Sequence, residues 1–203
     1  MEYYSKDVIK SIPASVLLHP LFDEWFLIVE DILLSDEFQK RKLFAHHHNI
    51  SVWDHSILVS FKSFVVAKHY NANTYICAVA GLLHDFYTQA WIKTPEIEAL
   101  DNGKYAQSLK IKRKPIWKMH GFTHAKDASI NYVKYFPKLE NKKITNSIRR
   151  HMFPLTIIPP RYKEGVIITI VDKLNSCSEL PSIKDVSLTI VDKTIHLFSH
   201  KKD

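Results

Sequence analysis

Glycine is scarce in this chain: four in 203 residues, beside nine prolines. A loop-rich β-protein needs more turn residues, and a disordered chain carries fewer apolar ones, so neither class fits. Cysteine is nearly absent. Cys77 lies within an apolar run and Cys177 far from it in sequence. Two such residues make no disulfide framework, and a reducing cytoplasm is the expected setting. No apolar stretch reaches the length of a membrane span. The opening residues, Met1 to Asp7, do not read as a signal peptide.

What the chain does have is apolar content, 46%, with four tryptophans. That is ample for one core, and the length predicts one domain. We read residues 1–45 as a helical lead-in packed on the core, 46–180 as the main domain and 181–203 as an extension. The net charge of +7 and a pI near 9.2 suit an anionic substrate, a nucleic acid or an acidic surface. Twelve histidines is a high number for this length, and their positions carry the information.

Helical periodicity dominates. Phe22, Trp25, Phe26, Val29, Ile32 and Leu33 form an apolar stripe opposite Asp23, Glu24, Glu30 and Asp31. Ser35 reads as the cap of a short second helix containing Phe38 and Phe44. After His46, His47 and His48, Ser51 is placed to cap a long helix to about Tyr70, with Ile57, Leu58, Phe61, Val65 and Val66 facing inward. A buried helix is expected from Asn73 to Asp85, because Ala78, Val79, Leu82 and Leu83 are too continuous for a surface face. Periodicity lapses over 86–119, a stretch that holds the basic run of 104–118, with Lys110, Lys112, Arg113 and Lys114, and has Trp91 and Trp117 near its ends; long irregular segments are usually functional or mobile. Another helix opens near His120 and stops at Pro137. One carrying Ile144, Ile148 and His151 ends before Pro154. The next starts at Pro159-Pro160, proline being tolerated in a first turn. The tail at 181–203 reads as a short helix or a hairpin, Val186, Leu188 and Ile190 alternating like a strand.

Certain polar residues break this pattern. His84 and Asp85 close the buried run, and Asp172 sits in the middle of an apolar helix. A buried carboxylate is costly unless it is paired or bound to a cation. With His55, His120 and His151 they make six candidate ligands, each on or at the end of a different helical segment apart from the adjacent pair. Imidazole and carboxylate together suit Fe, Mn, Ni, Zn or Co rather than Ca, and Mg stays open. Six such donors can hold two ions with a carboxylate between them, an arrangement that serves phosphoryl displacement.

The order His … His-Asp … Asp resembles the HD superfamily of metal-dependent phosphohydrolases. The matching blocks are Asp54-His55-Ser56, Leu83-His84-Asp85 and Val171-Asp172-Lys173, with His120-Gly121-Phe122 and His151-Met152-Phe153-Pro154-Leu155-Thr156 where the dinuclear branch has its further histidines. The resemblance covers about residues 44–180 and looks like a small bacterial group of stand-alone HD domains. It implies an all-α HD-domain helical bundle whose ligands converge from several helices. It also implies one or two divalent transition-metal ions. His55, His84, Asp85 and Asp172 would hold the first; His120 and His151 would complete the second, with Asp85 bridging. Asp85 and Asp172 would be the catalytic carboxylates, Asp172 able to take a proton from the nucleophile. That nucleophile would be a metal-bound hydroxide, because coordination lowers the pKa of water.

His124, one turn after His120, can face the same site as a supporting donor or substrate contact. Arg149, Arg150, Arg161 and Lys173 are candidates to clamp phosphate. The expected substrate is a small phosphorylated molecule, with a nucleotide among the candidates. No membrane partner is expected, and a homodimer is left open. Phe86-Tyr87-Thr88 stands where a Gly-Tyr-Pro signature would follow the doublet, so hydrolysis of cyclic-di-GMP is not supported. Two competing readings stand: a nucleotide or nucleic-acid binding module with a vestigial site, for which the basic run with Trp117 would form the groove, and a di-iron oxygenase of HD type.

Overall fold

The computed structural model describes residues 7–44, 50–87 and 120–178, apart from the side chains of residues 120, 121 and 178. The described residues are helical, with no strand among them, so the all-α expectation holds. A helical turn at 7–10 leads into α1 (Ala14–Leu17), α2 (Phe22–Leu33) and α3 (Asp36–Gln39), followed by a 3-10 turn, Lys40–Leu43. The two central helices are α4 (Val52–His69) and α5 (Thr74–Leu83). Then come α6 (His120–Tyr135), a 3-10 turn at Pro137–Leu139, α7 (Lys142–Arg150) and α8 (Lys163–Ser178).

Local sequence sets the starts. Ser51 and Asp54 form a reciprocal capping box at α4: the Ser51 hydroxyl accepts from the Asp54 N–H, and Asp54 accepts from the Ser51 N–H. Asn73 caps α5 through the Ile76 N–H, and Ser35 caps α3 through the Phe38 N–H. Some boundaries differ from expectation. The buried helix ends at Leu83, so His84 is its C-cap and Asp85 lies beyond it. The last helix starts at Lys163 rather than at Pro159-Pro160, which precede it outside any helix.

The core is continuous. Val8, Ile12, Val16, Trp25, Val29, Ile32 and Leu33 from the lead-in join the residues of α4, α5, α7 and α8 in one buried cluster. A polar thread runs through it: the Trp25 indole N–H donates to Ser60 Oγ at 2.9 Å, and Ser60 donates to the Ala78 carbonyl at 2.7 Å. This thread ties α2, α4 and α5 with every group satisfied. Gly81 lets α5 approach α4: a Cβ there would stand 2.9 Å from Ser60 Cα. That approach brings the end of α5 beside the first turns of α4, and so His84 beside His55. No helix among the described residues is long and apolar enough to cross a membrane.

The extension at 181–203, the basic run of 104–118, Trp91, Trp117 and the histidines at 46–48 lie outside the described residues.

Candidate metal centre

Five helices deliver polar side chains to one buried place. His55 comes from the start of α4, His84 and Asp85 from the end of α5, His124 from the start of α6, His151 from the C-cap of α7 and Asp172 from the middle of α8. All are buried, from 0% exposed for His55 and His84 to 6% for His124 and Asp172.

Their ligand-capable atoms converge. His55 Nε2 lies 3.1 Å from Asp172 Oδ1 and 3.3 Å from His84 Nε2. His84 Nε2 is 3.5 Å from Asp172 Oδ1 and 3.6 Å from Asp85 Oδ2. The other oxygen of Asp85 points the other way: Oδ1 is 3.3 Å from His124 Nε2 and 3.6 Å from His151 Nε2, and those two nitrogens are 3.1 Å apart. Two groups result, His55–His84–Asp172 and His84–Asp85–His151, each with its donor atoms within 4.8 Å of one another. Two donors about 2.1 Å from a common ion stand about 3.0–3.5 Å apart in tetrahedral or octahedral geometry. The separations seen match that spacing.

The chemistry of the donors also fits a cation. His84 and His151 occupy equivalent places, the C-caps of α5 and α7. Each donates its Nδ1–H to a carbonyl three residues back, Gly81 and Ile148, at 2.7 Å in both. The hydrogen bond at Nδ1 fixes the orientation of each ring and turns Nε2 inward, where it can coordinate when unprotonated. Both helices also end here with the negative end of their dipoles, which favours positive charge.

The electrostatics agree. Burial alone would lower the basicity of His84, but the Asp85 and Asp172 carboxylates outweigh it and hold the ring above its ordinary pKa. In the ion-free protein this pair of carboxylates therefore recruits a proton, and a divalent cation can take its place. Burial, with His84 and His124 alongside, pulls His151 down to about 3, so it stays neutral and able to coordinate. Burial would raise Asp172, yet hydrogen bonds from His55 and His84 and the Lys173 ammonium hold it well below the usual carboxylate range.

Among the residues expected from the sequence, His55, His84, Asp85, His151 and Asp172 meet in this cluster. His120 lies in the first turn of α6, with its side chain outside the described residues. His124, expected as a supporting donor or substrate contact, has its Nε2 among the ligand-capable atoms. Lys173 is attached to the site: its ammonium donates to Asp172 Oδ2 at 2.8 Å and to the His151 carbonyl at 3.1 Å. Arg149 and Arg161 are exposed and Arg150 is half-buried. Among the described residues none of the three shows a hydrogen bond or ion pair to the cluster; Arg161 stacks on Tyr162 instead.

Sequence reasoning missed Arg41. Its guanidinium is 1% exposed and lies 4.5 Å from the Phe86 ring centroid and 4.8 Å from that of Phe44. Phe86 directly follows Asp85. Nη2 meets Glu37 at 3.4 Å, while Nε and Nη1 have no hydrogen-bond partner. Arg41 stands between Lys40 and Lys42, and nothing in that basic run marks it as buried. Asn175 and Lys62 were missed too. Asn175 Nδ2 stands 3.3 Å from His55 Nδ1, and its Oδ1 accepts from Lys62 Nζ at 2.6 Å.

Comparison with family models, with curated proteins and with solved structures gives no match.

Proposed function

We propose that this protein is a metal-dependent phosphohydrolase of HD type, a phosphomonoesterase or phosphodiesterase acting on a small phosphorylated molecule, with nucleotides among the candidates. One observation carries the reading: Asp85 turns one oxygen to each of two adjoining imidazole-rich groups. A carboxylate that spans two donor groups suits a pair of ions, and the order His55, His84-Asp85, Asp172 along the chain matches the HD pattern.

In this reading His55, His84, Asp85 and Asp172 would hold one ion; Asp85 and His151, with His124 beside them and His120 as expected from the sequence, would hold the other. The donor set favours Mn, Fe, Co, Ni or Zn over Ca. Bound ions there supply Lewis acidity toward a phosphoryl oxygen and lower the pKa of water. The chain supplies the rest. Asp172, held ionised by His55, His84 and Lys173, can accept a proton at Oδ1. The two Nδ1–H bonds to Gly81 and Ile148 keep the His84 and His151 rings from rotating. Burial of the whole cluster lowers the local dielectric and so strengthens each charge interaction within it.

The test is metal analysis of the purified protein, followed by a phosphate-release screen over phosphorylated metabolites and nucleotides with Mn, Fe, Co, Ni or Mg added. Stoichiometric metal together with turnover of one substrate class is expected. A protein that takes up no ion and releases no phosphate sinks the reading. The same histidine-rich set suits iron, so a di-iron oxygenase is the competing assignment. Oxygen uptake by the iron form without phosphate release would favour it.

A further inference from the structure

Among the described residues, exposed aliphatic side chains gather in one loop, between α7 and α8. Leu155, Ile157 and Ile158 are 45%, 90% and 54% exposed, and Pro154 and Pro159 are exposed beside them. A single exposed aliphatic is ordinary. A group of them within four residues is not, and such a group marks a contact surface. The loop is also held in shape. The Phe153 N–H donates to the Arg150 carbonyl at 3.1 Å, and the Thr156 N–H to that of Met152 at 3.1 Å. At the far end the Arg161 N–H donates to Asn146 Oδ1 at 2.9 Å; at the near end Lys173 holds the His151 carbonyl. Pro154, Pro159 and Pro160 fix φ besides. Little freedom is left to lose on docking.

Charge decides what this surface fits. Between 141 and 163 the chain carries Lys142, Lys143, Arg149, Arg150, Arg161 and Lys163, and no aspartate or glutamate. Lys143 pairs with Glu164, and Lys163 donates to the Tyr70 carbonyl. Arg149 and Arg161 are exposed and Arg150 half-buried, and none of the three is in an ion pair among the described residues. Leu27 is the contrast. It is 77% exposed on α2, but Asp23, Glu24, Glu30 and Asp31 flank it at helical spacing. Aliphatic tips beside unpaired arginines match an anionic lipid surface, which takes the first into its acyl boundary and the second among its phosphates. Single-stranded nucleic acid rewards cations and stacking rings, and has nothing for isoleucine.

We propose that the 152–160 loop, with Arg149, Arg150 and Arg161, docks this protein on the surface of an anionic membrane. The lack of a spanning segment, which sets the expectation of no membrane partner, does not bear on a contact made from one side. The contact stands whether or not the cluster holds an ion. Because the loop begins at His151, docking holds the cluster near the headgroup layer.

The experiment is co-sedimentation of the full chain with vesicles of phosphatidylcholine alone, and of phosphatidylcholine with an equal part of phosphatidylglycerol. Binding to the anionic vesicles only, weakening as salt rises, is expected. The double variant Ile157→Ser, Ile158→Ser should bind at least about tenfold more weakly. Arg149→Gln and Arg161→Gln should each cost about fivefold, and Leu27→Ser nothing. Ile157→Trp gives a reading that does not depend on loss: the added fluorescence should be quenched by brominated acyl chains. No binding to anionic vesicles, equal binding to neutral ones, or no quenching overturns the proposal. Binding that needs the arginines and ignores both isoleucines would mean a polyanion contact such as nucleic acid, and overturns it too. So does a dimer, seen by sedimentation velocity, that the double serine variant separates, because a second copy then covers the loop.

Discussion

The two halves of the cluster share His84 yet are built on opposite terms. Asp172 meets the His55 and His84 imidazoles at one oxygen and the Lys173 ammonium at the other. Around Asp85 the imidazoles of His84 and His151 give Nδ1–H to backbone carbonyls and turn Nε2 toward the carboxylate. The difference follows from where each histidine sits. At a helix C-cap the free carbonyls of the last turn are available to a ring, so helix geometry alone fixes its orientation. His55 sits in the first turns of α4, and its Nδ1 meets a side chain from α8, Asn175, at 3.3 Å. Ligand identity in such a site is therefore a property of helix termini as much as of residue type.

Removing Asp85 should have the largest effect, because it belongs to both halves. Asp85→Ala is expected to lower affinity for both ions by at least about a hundredfold, and phosphate release with it. Metal content after dialysis and turnover under saturating substrate check this. If only one ion is lost, the carboxylate does not span the groups. Gly81→Ala comes next. Its Cβ would stand 2.9 Å from Ser60 Cα, a backbone atom that cannot step aside. The helices must separate, at about 1–3 kcal/mol, and the Gly81 carbonyl that orients His84 moves with them. A lower melting temperature and weaker metal binding should appear together. Loss of stability with unchanged metal binding would mean that the α4–α5 contact does not position the doublet.

Much of this architecture was legible in the sequence. The apolar runs and the caps Ser51 and Asn73 mark α4 and α5, and Asp172 stands out because nothing but a partner or an ion justifies a carboxylate on so apolar a helix. Less legible was that His124 reaches the cluster from α6. Spacing puts it on the face of His120 but does not make it more than a supporting contact, and coordinates were needed to put His124 Nε2 at 3.1 Å from His151. Arg41 was hidden by its basic neighbours. Asn175 was hidden for another reason: it follows Asp172 by three residues, on the same face, but an amide carries no charge to betray its burial. Lys62 carries no signal in the sequence, since its partner Asn175 lies 113 positions away.

Acidity separates the halves in a second way. His151 in the folded, ion-free protein has its pKa pulled down to about 3. The unfolded chain takes up its proton near the ordinary histidine value, about 6.5. Between these values the unfolded state binds more protons, so the His151 contribution to stability rises with pH. It is lost progressively as pH falls from about 6.5 toward about 3. His84 has the opposite sign: its raised pKa contributes stability below the unfolded value and loses it as pH rises through the folded one. Urea unfolding in the presence of a chelator, compared between wild type and His151→Gln, isolates the first term. The stability difference between them should shift in favour of the wild type as pH rises from about 3 to 6.5, and be flat above. A difference that does not vary with pH would mean His151 is protonated in the fold, and its lone pair is then not available to the Asp85 half.

The smallest change expected is at Lys173, whose ammonium is attached to the Asp172 half from outside. Its side chain is 38% exposed, and its bond to Asp172 Oδ2 is screened by solvent on one side. Lys173→Met should therefore cost no more than about 1 kcal/mol of stability. The consequence for metal should be larger on the Asp172 half than on the Asp85 half, because the freed Oδ2 loses its competing cation. Stepwise titration would show one binding step tightening while the other holds. Equal shifts in both steps would mean that Lys173 acts through the general field of the site, and that the two halves are one electrostatic unit.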